Sequence, residues 1–320
     1  MPRIVYLLLS AGGIAGGHKM AVRHVETLRE LGFDAICYIG VEGKAPSWLT
    51  YKAPLEFGSP VKPDDILVLP DDADTALRTT LDSDLRTMVF SQNPFNFAAK
   101  TFDIVAQFPA ARFPPMIAVS GGLAATIRRA FPRAQVEIVP CFADERIFRP
   151  AAHKVPAVAF APRKRPLEAA AIRALFSRLY PRHQDLSWKA LSGAHEDAVA
   201  AAFASSSLCL SLNRLESVGM TTLEAMASGC VCAGFTGVGG REYATQDNGF
   251  WVPDDDCEAA ADALARAADL VRAGGAPLQR VRDAARATAE QWSYARFRTA
   301  LEAVWMRLAP EARLRDGPLD

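Results

Sequence analysis

The sequence predicts an α/β protein built from two doubly wound domains. Three observations carry that prediction. Short apolar runs alternate with stretches of helical periodicity, the pattern of strands joined by crossover helices in a parallel sheet. The alternation pauses once, over CFADERIFRPAAHKVP near residues 141–156, and then resumes. A length of 320 residues suits two domains at about 100–200 residues each.

The first series opens on IVYLLLS, a continuous apolar run that reads as a strand buried on both faces. The run is short for a leader and ends in Gly-Gly rather than a small-x-small cleavage site, so the expectation is a first strand. GGHKMAVRHVETLRELG follows, with Ala21, Val25, Leu28 and Leu31 at helical spacing and Gly32 placed to end the helix. Strand-like runs AICYIG, DILVLP, TMVFSQ, MIAVS and VEIVP come next, with GLAATIRRAF as a helix among them. The second series runs through AVAFA, a helix over PLEAAAIRALFSRLY, LSWKAL, a helix over HEDAVAAAFAS, SLCLSL, a helix over TLEAMASG, CVCAGF and GFWV, and ends in helices. The expected domains are 1–150 and 151–292, facing each other across a cleft, with a helix over about 293–310 returning to the first. Ligands of such sheets sit outside the carboxyl ends of the strands.

Composition narrows the function. Lys+Arg 36 balances Asp+Glu 36, so no global charge favours nucleic acid or an anionic membrane. Arg128, Arg129 and Arg133 around Phe131 leave peripheral membrane contact open, against the plainer reading of a solvated helix face. No run approaches the ~20 apolar residues of a membrane span. The six cysteines lack C-x-x-C spacing, and most lie in apolar runs where a thiol is a small buried hydrophobe. That usage suggests a reducing, cytoplasmic setting. The five histidines show no metal-ligand spacing. Asp72-Ala73-Asp74, Asp82-Ser83-Asp84 and Asp254-Asp255-Asp256 fit D-x-D, but three hits for so short a string favour turns and helix starts over a metal site.

Three loops stand out. AGGIAGGH, Ala11 to His18, joins the first strand to the first helix and would bring backbone N–H groups close to an anion. FAPRKRP sets Arg163, Lys164 and Arg165 directly after a strand, where charge-assisted bonds could hold a diphosphate. NRLESVGMTTLEAMASG places Glu216 in a loop and Glu224 in the next helix, with Gly219, Met220, Thr221 and Thr222 at the helix start. Thr221-x-x-Glu224 also fits a capping box, which would give Glu224 a purely local role.

ESVGMTTLEAMASGCVCAGFTGVGG resembles the E-x7-E segment of family 4 retaining glycosyltransferases of the GT-B fold (glycosyl transferases group 1). IVPCFADERIFRP is similar to that family's interdomain segment, and NGFWVPDDDCEAAADAL to the segment further on. The resemblance implies two Rossmann-like domains, the first on the acceptor side and the second binding a nucleotide-sugar. It implies that Glu224 meets ribose hydroxyls, that Glu216 meets hydroxyls of the transferred sugar, and that backbone N–H groups of Gly219 to Thr222 meet sugar and diphosphate. Arg163 and either Lys164 or Arg165 would stabilise the leaving diphosphate without a metal. Gly12, Gly13, Gly16 and Gly17 would face donor phosphate and acceptor. Where many members carry a histidine, this chain reads VFSQNPFNF, so Gln92 or Asn93 would substitute, with His18 a further contact.

The expected activity is therefore retaining transfer of a hexosyl or deoxyhexosyl group from a nucleotide-sugar to a glycan, lipid-linked or small-molecule acceptor, at the inner face of the membrane if the acceptor is lipid-linked. Nucleic acid is not an expected partner. Two alternatives share the fold: a nucleotide-sugar-binding protein without transferase activity, and a nucleotide-sugar epimerase.

Overall fold

Apolar runs of three to seven residues become strands, and among the described residues the named strands all pair in parallel, with one isolated antiparallel bridge between Phe33 and Arg313. The computed structural model describes residues 2–9, 13–40, 43–58 and 61–314. The chain divides into two units, Met1–Cys141 with Phe297–Asp320, and Phe142–Arg296.

In the first unit β1 (Ile4–Leu8) leads through the glycine loop to α1 (Gly16–Glu30), which buries Met20, Val25 and Leu28. β2 (Ala35–Ile39), β3 (Leu55–Phe57) and β4 (Ile66–Pro70) follow. Next come α2 (Asp74–Thr80), β5 (Arg86–Ser91), the single turns α3 (Pro94–Asn96) and α4 (Phe102–Val105) with a π-helical turn between them, β6 (Met116–Ala118), α5 (Gly121–Ala130) and β7 (Val136–Ile138). The seven strands lie in the order β3-β2-β1-β4-β5-β6-β7. β1 and β4 are therefore neighbours from which the chain winds in opposite directions, the switch point of a doubly wound sheet.

The core of this unit holds a polar pair. His24 is fully buried between the rings of Phe90 and Phe297, and the Tyr6 hydroxyl lies 2.9 Å from its Nδ1. Burial pushes the imidazole down to about 3, so it is neutral at ordinary pH. Phe131 is half-buried at the end of α5. Its ring packs against Phe97, Phe102 and Phe113, and Arg128 donates to the Val136 carbonyl.

In the second unit the order is β8 (Val155–Phe160), α6 (Pro166–Leu179), β9 (Ser187–Ala190), α7 (Glu196–Ser205), β10 (Ser206–Leu212), α8 (Met220–Ala227), β11 (Val231–Phe235), the turn α9 (Gly237–Gly240) and β12 (Phe250–Val252). The helices α10 (Cys257–Ala273), α11 (Gly275–Gln291) and α12 (Tyr294–Leu308) close the chain. The sheet runs β12-β11-β10-β8-β9, which places its switch point between β8 and β10. Leu208, Leu210 and Leu212 of β10 pack with the alanine-rich face of α10, where small side chains let the helix approach the sheet.

The first unit ends at Cys141 rather than at 150. The segment beyond it packs on the second unit: Ala143 N donates to the Trp292 carbonyl at 2.8 Å, the Phe142 and Tyr294 rings lie 5.4 Å apart, and Arg146 lies over Tyr294. α12 is divided between the units, since Tyr294 stays with the second while Phe297, Leu301 and Trp305 are buried in the first. No helix among the described residues is long and apolar enough to cross a membrane.

Candidate functional site

The loops after β8 and β10 meet at the second unit's switch point. Arg163, Lys164, Asn213, Glu216, Thr221 and Thr222 line one small pocket there, of about 60 Å³. Lys164 Nζ lies 2.8 Å from Glu216 Oε1 and donates to the Arg214 carbonyl at 3.2 Å. Arg163 is exposed at the same pocket. Two cations, one carboxylate and a helix start thus converge where a doubly wound sheet places its ligand.

The loop between β10 and α8 is held from behind. Asn213 Nδ2 donates to Thr222 Oγ1 at 3.1 Å and to the Tyr243 hydroxyl at 3.3 Å, and that hydroxyl donates to the Gly219 carbonyl at 3.0 Å. Ser211 Oγ lies 2.8 Å from Thr222 Oγ1 and donates to the Phe235 carbonyl. Gly219 caps α8 at φ 79°, and a Cβ there would stand 2.4 Å from Asn213 Nδ2. Any side chain at Gly219 would therefore displace the loop. Leu215 adopts φ 49°, a left-handed conformation that is strained for a branched residue, one position before Glu216. Gly239 of α9 presses on the 217–218 backbone so closely that a Cβ would lie 2.2 Å from the Ser217 carbonyl carbon.

Three sequence expectations change here. Arg165 does not join Arg163 and Lys164 in the pocket. Its side chain is buried, donating to the Asn213 carbonyl and Glu168, contacting Asp255, lying 3.5 Å from Asp254 and stacking on Phe235. A guanidinium that meets three carboxylates ties the loops after β8 and β10 to the turn before α10. Thr222 lines the pocket, yet its N–H donates to the Gly219 carbonyl and its hydroxyl is shared by Ser211 and Asn213. The capping box is absent: Gly219 is the cap, α8 begins at Met220, and Thr222 holds the position a capping-box Glu would need. Glu224 lies further along α8 and is buried.

The acidic triplet has internal duties. Asp254 also accepts from Gly237 N, Asp255 meets Arg165, and Asp256 caps α10 by accepting from Ala259 N. The Arg165 contact holds the Asp255 carboxyl below its usual range. Among the described residues no three metal-ligating side chains converge.

In the first unit, Gly12 lies outside the described residues. Gly13 is exposed, with open space where a side chain would stand. Gly16 and Gly17 begin α1, followed by His18. Gln92 reaches this helix start, and a Cβ at Gly17 would stand 3.1 Å from Gln92 Nε2. Asn93 Oδ1 accepts from Phe95 N and Asn96 N, so its oxygen caps the following turn. Sequence reasoning missed Asn213, Tyr243 and Asp71. The only signal for Asn213 was its place between SLCLSL and the RLESVGMTTLEAMASG segment, and Tyr243 carried no local signal.

Comparison with known proteins bears on family and fold. Residues 177–269 match the family model described as Glycosyl transferases group 1, a stretch that includes Glu216 and Glu224 and excludes 163–165. An alpha-1,6-glucosyltransferase of Actinobacillus pleuropneumoniae serotype 7 is 26% identical over 266 residues, covering 78% of each chain. Among solved structures, sucrose-phosphate synthase from Thermosynechococcus elongatus has a TM-score of 0.69 at 12% identity, covering 97% of this chain and 100% of that one. Anabaena Alr3699/HepE, solved with UDP-glucose, has a TM-score of 0.68 at 12% identity, covering 95% and 99%. The fold is that of GT-B proteins. The family match and the named relative support a glycosyltransferase of that fold.

Proposed function

We propose that the protein transfers a sugar from a nucleotide-sugar to a hydroxyl-bearing acceptor, with retention at the anomeric carbon and without a metal. The observation that carries the reading is the Lys164–Glu216 pair at 2.8 Å in one pocket with Arg163 and the start of α8. In the reaction the bond from the anomeric carbon to the diphosphate breaks, and the leaving group gains negative charge. Arg163 and Lys164, fixed beside the helix start, meet charge that develops in the transition state, the arrangement that contributes most to rate. Glu216 accepts hydrogen bonds from sugar hydroxyls, and Glu224 serves the ribose. Retention is supported by the likeness of the Glu216-to-Glu224 segment to retaining enzymes. A uridine diphosphate hexose is the first donor class to test, because the Anabaena neighbour was solved with UDP-glucose and the Actinobacillus relative is a glucosyltransferase. The first unit takes the acceptor side, and glycans are the acceptor class closest to those relatives.

The test is thermal shift against nucleoside diphosphates and nucleotide-sugars, with and without EDTA. Ligand at 100 times its Kd should stabilise by about 2.7 kcal/mol. The expected result is an EDTA-insensitive shift with one nucleotide, lost in Arg163→Ala and Lys164→Ala, together with slow release of the diphosphate from the matching donor. Binding without any turnover would support a sugar-nucleotide-binding protein instead. A new nucleotide-sugar formed without acceptor would support an epimerase.

A further inference from the structure

The first unit has a switch point of its own, between β1 and β4, and a buried carboxylate stands at the carboxyl end of β4. Asp71 is 3% exposed. Its Oδ2 accepts from Ser91 Oγ at 3.0 Å, Gln92 N at 2.7 Å and Asn93 N at 2.8 Å, three successive residues at the end of β5. Its backbone is fixed too: Asp71 N donates to the Phe90 carbonyl at 3.2 Å, and Thr101 Oγ1 donates to the Asp71 carbonyl at 2.7 Å. The charged neighbour that acts on it is Asp72, which pairs with Lys100 at 3.7 Å.

Burying a carboxylate is unfavourable unless it is well supplied with donors. Serine or asparagine could satisfy a loop N–H without that cost, so a carboxylate that gathers three consecutive donors points to fixed geometry. What it fixes is the root of Gln92, whose side-chain amide lies against Gly17 in the first turn of α1. In the same turn His18 Nδ1 is shut off from solvent with no hydrogen-bond partner among the described residues. An amide, an imidazole nitrogen and a helix start together form a hydrogen-bonding surface that can both donate to and accept from hydroxyl groups.

We propose that Asp71 is a positioning residue: it holds the 91–93 backbone so that the Gln92 amide stands at the start of α1 and engages a hydroxyl of the sugar substrate. This rests on the transferase reading, and Asp71 acts only through Gln92. Burial pushes the Asp71 carboxyl up to about 7 even with its three donors, as a site far from bulk water requires.

The test uses the full chain, wild type and the variants Asp71→Asn, Asp71→Ala, Gln92→Ala and Asp71→Asn/Gln92→Ala. UDP serves as the binding probe and UDP-glucose as the turnover probe. UDP binding should be the same in all of them, because its site lies in the second unit. Amide hydrogen exchange at Gln92 and Asn93 should quicken about tenfold in Asp71→Asn. UDP release from UDP-glucose should fall about 10–100-fold in Asp71→Asn and about as far in Gln92→Ala. The double variant should be no slower than Gln92→Ala alone, the coupling expected when one residue works through the other. Independent, multiplying effects would overturn the proposal, as would unchanged exchange in Asp71→Asn. Should Asp71→Ala fail to fold, the asparagine series still decides. A wild type that neither binds UDP nor releases it from UDP-glucose would sink the uridine-donor reading and Asp71's part in transfer with it, whatever the exchange data show.

Discussion

At the first sheet's switch point the group that anchors the loops is a buried carboxylate, Asp71. At the second it is a buried guanidinium, Arg165. Asp71 receives one hydroxyl and two N–H groups from the end of β5. Arg165 donates to the carbonyl after β10 and gathers carboxylates of α6 and of the turn before α10. In neither place does the anchor supply the surface offered to a ligand. Asp71 presents a neutral amide, Gln92, while Arg165 leaves the cations Arg163 and Lys164 in the pocket. One topological position thus presents two kinds of surface, an amide in the first unit and a pair of cations in the second, because the anchoring and the presented groups belong to different residues.

The comparison can be broken most forcefully at the presented cations. Arg163→Ala/Lys164→Ala should cut turnover of the cognate nucleotide-sugar by about 10²–10³-fold and leave the melting temperature nearly unchanged, since neither side chain is deeply buried. Steady-state kinetics beside a melting curve checks both halves. Equal loss of activity from an anchor and from a presented cation, with no loss of stability in either, would erase the distinction drawn here.

Arg165→Leu should do the reverse. Removing the guanidinium takes the shared partner from Glu168, Asp254 and Asp255, leaving Glu168 to Arg214 and Asp254 to Arg241 and Gly237 N. Breaking such a network should destabilise the second unit by about 2–4 kcal/mol, less than a fully buried ion pair because Asp255 is largely exposed. Urea unfolding would read the loss.

A smaller effect separates the anchors by pH. Folded Asp71 keeps its proton up to about 7, whereas an unfolded aspartate releases it near pH ~4. Between those values the folded state binds more protons, so Asp71's contribution to stability is fullest in acid and is lost as pH rises through 7. His24 has the opposite sign. Its folded value is held down to about 3, so its contribution is present above its unfolded value and is lost as pH falls. The stability difference between wild type and Asp71→Asn isolates the first term. It should decline between about pH 5 and 7 and level off above 7, and a flat difference would remove Asp71 as a titrating anchor.

The mildest probe is Gly17→Ala. Its Cβ would meet the Gln92 amide at 3.1 Å, a contact the flexible side chain can relieve by moving. Turnover should fall only a few-fold, about 0.5–1 kcal/mol in activation free energy, with the helix itself slightly stabilised by alanine.

Much of this architecture was legible in the residues. IVYLLLS and SLCLSL are apolar throughout because β1 and β10 are central strands covered on both faces, and both emerged where expected. β3 did not. Leu55–Phe57 is three half-exposed residues at a sheet edge, too short to carry a period. The site divided the same way. Lys164 and Glu216 could be picked out because charge after a strand is a local signal, and the structure pairs them. Which member of Arg-Lys-Arg turns inward is decided by Asp254, Asp255 and Asn213, residues remote in sequence, so Arg165 looked like its neighbours. Asp71 left no mark at all. One aspartate beside another reads as a polar turn, and only the tertiary course of 91–93 gives it three donors.

The division of α12 bears on how the chain matures as it leaves the ribosome. The second unit is one continuous stretch, Phe142–Arg296, and can close its core as soon as that stretch has emerged. The first unit, although begun first, has Phe297 against His24 and Trp305 beside Tyr6, residues that come after the whole of the second unit. Domains usually mature in the order of synthesis. Here the whole of the second unit precedes Phe297 and Trp305 in the chain, so the core of the first stays incomplete until after the second has been made.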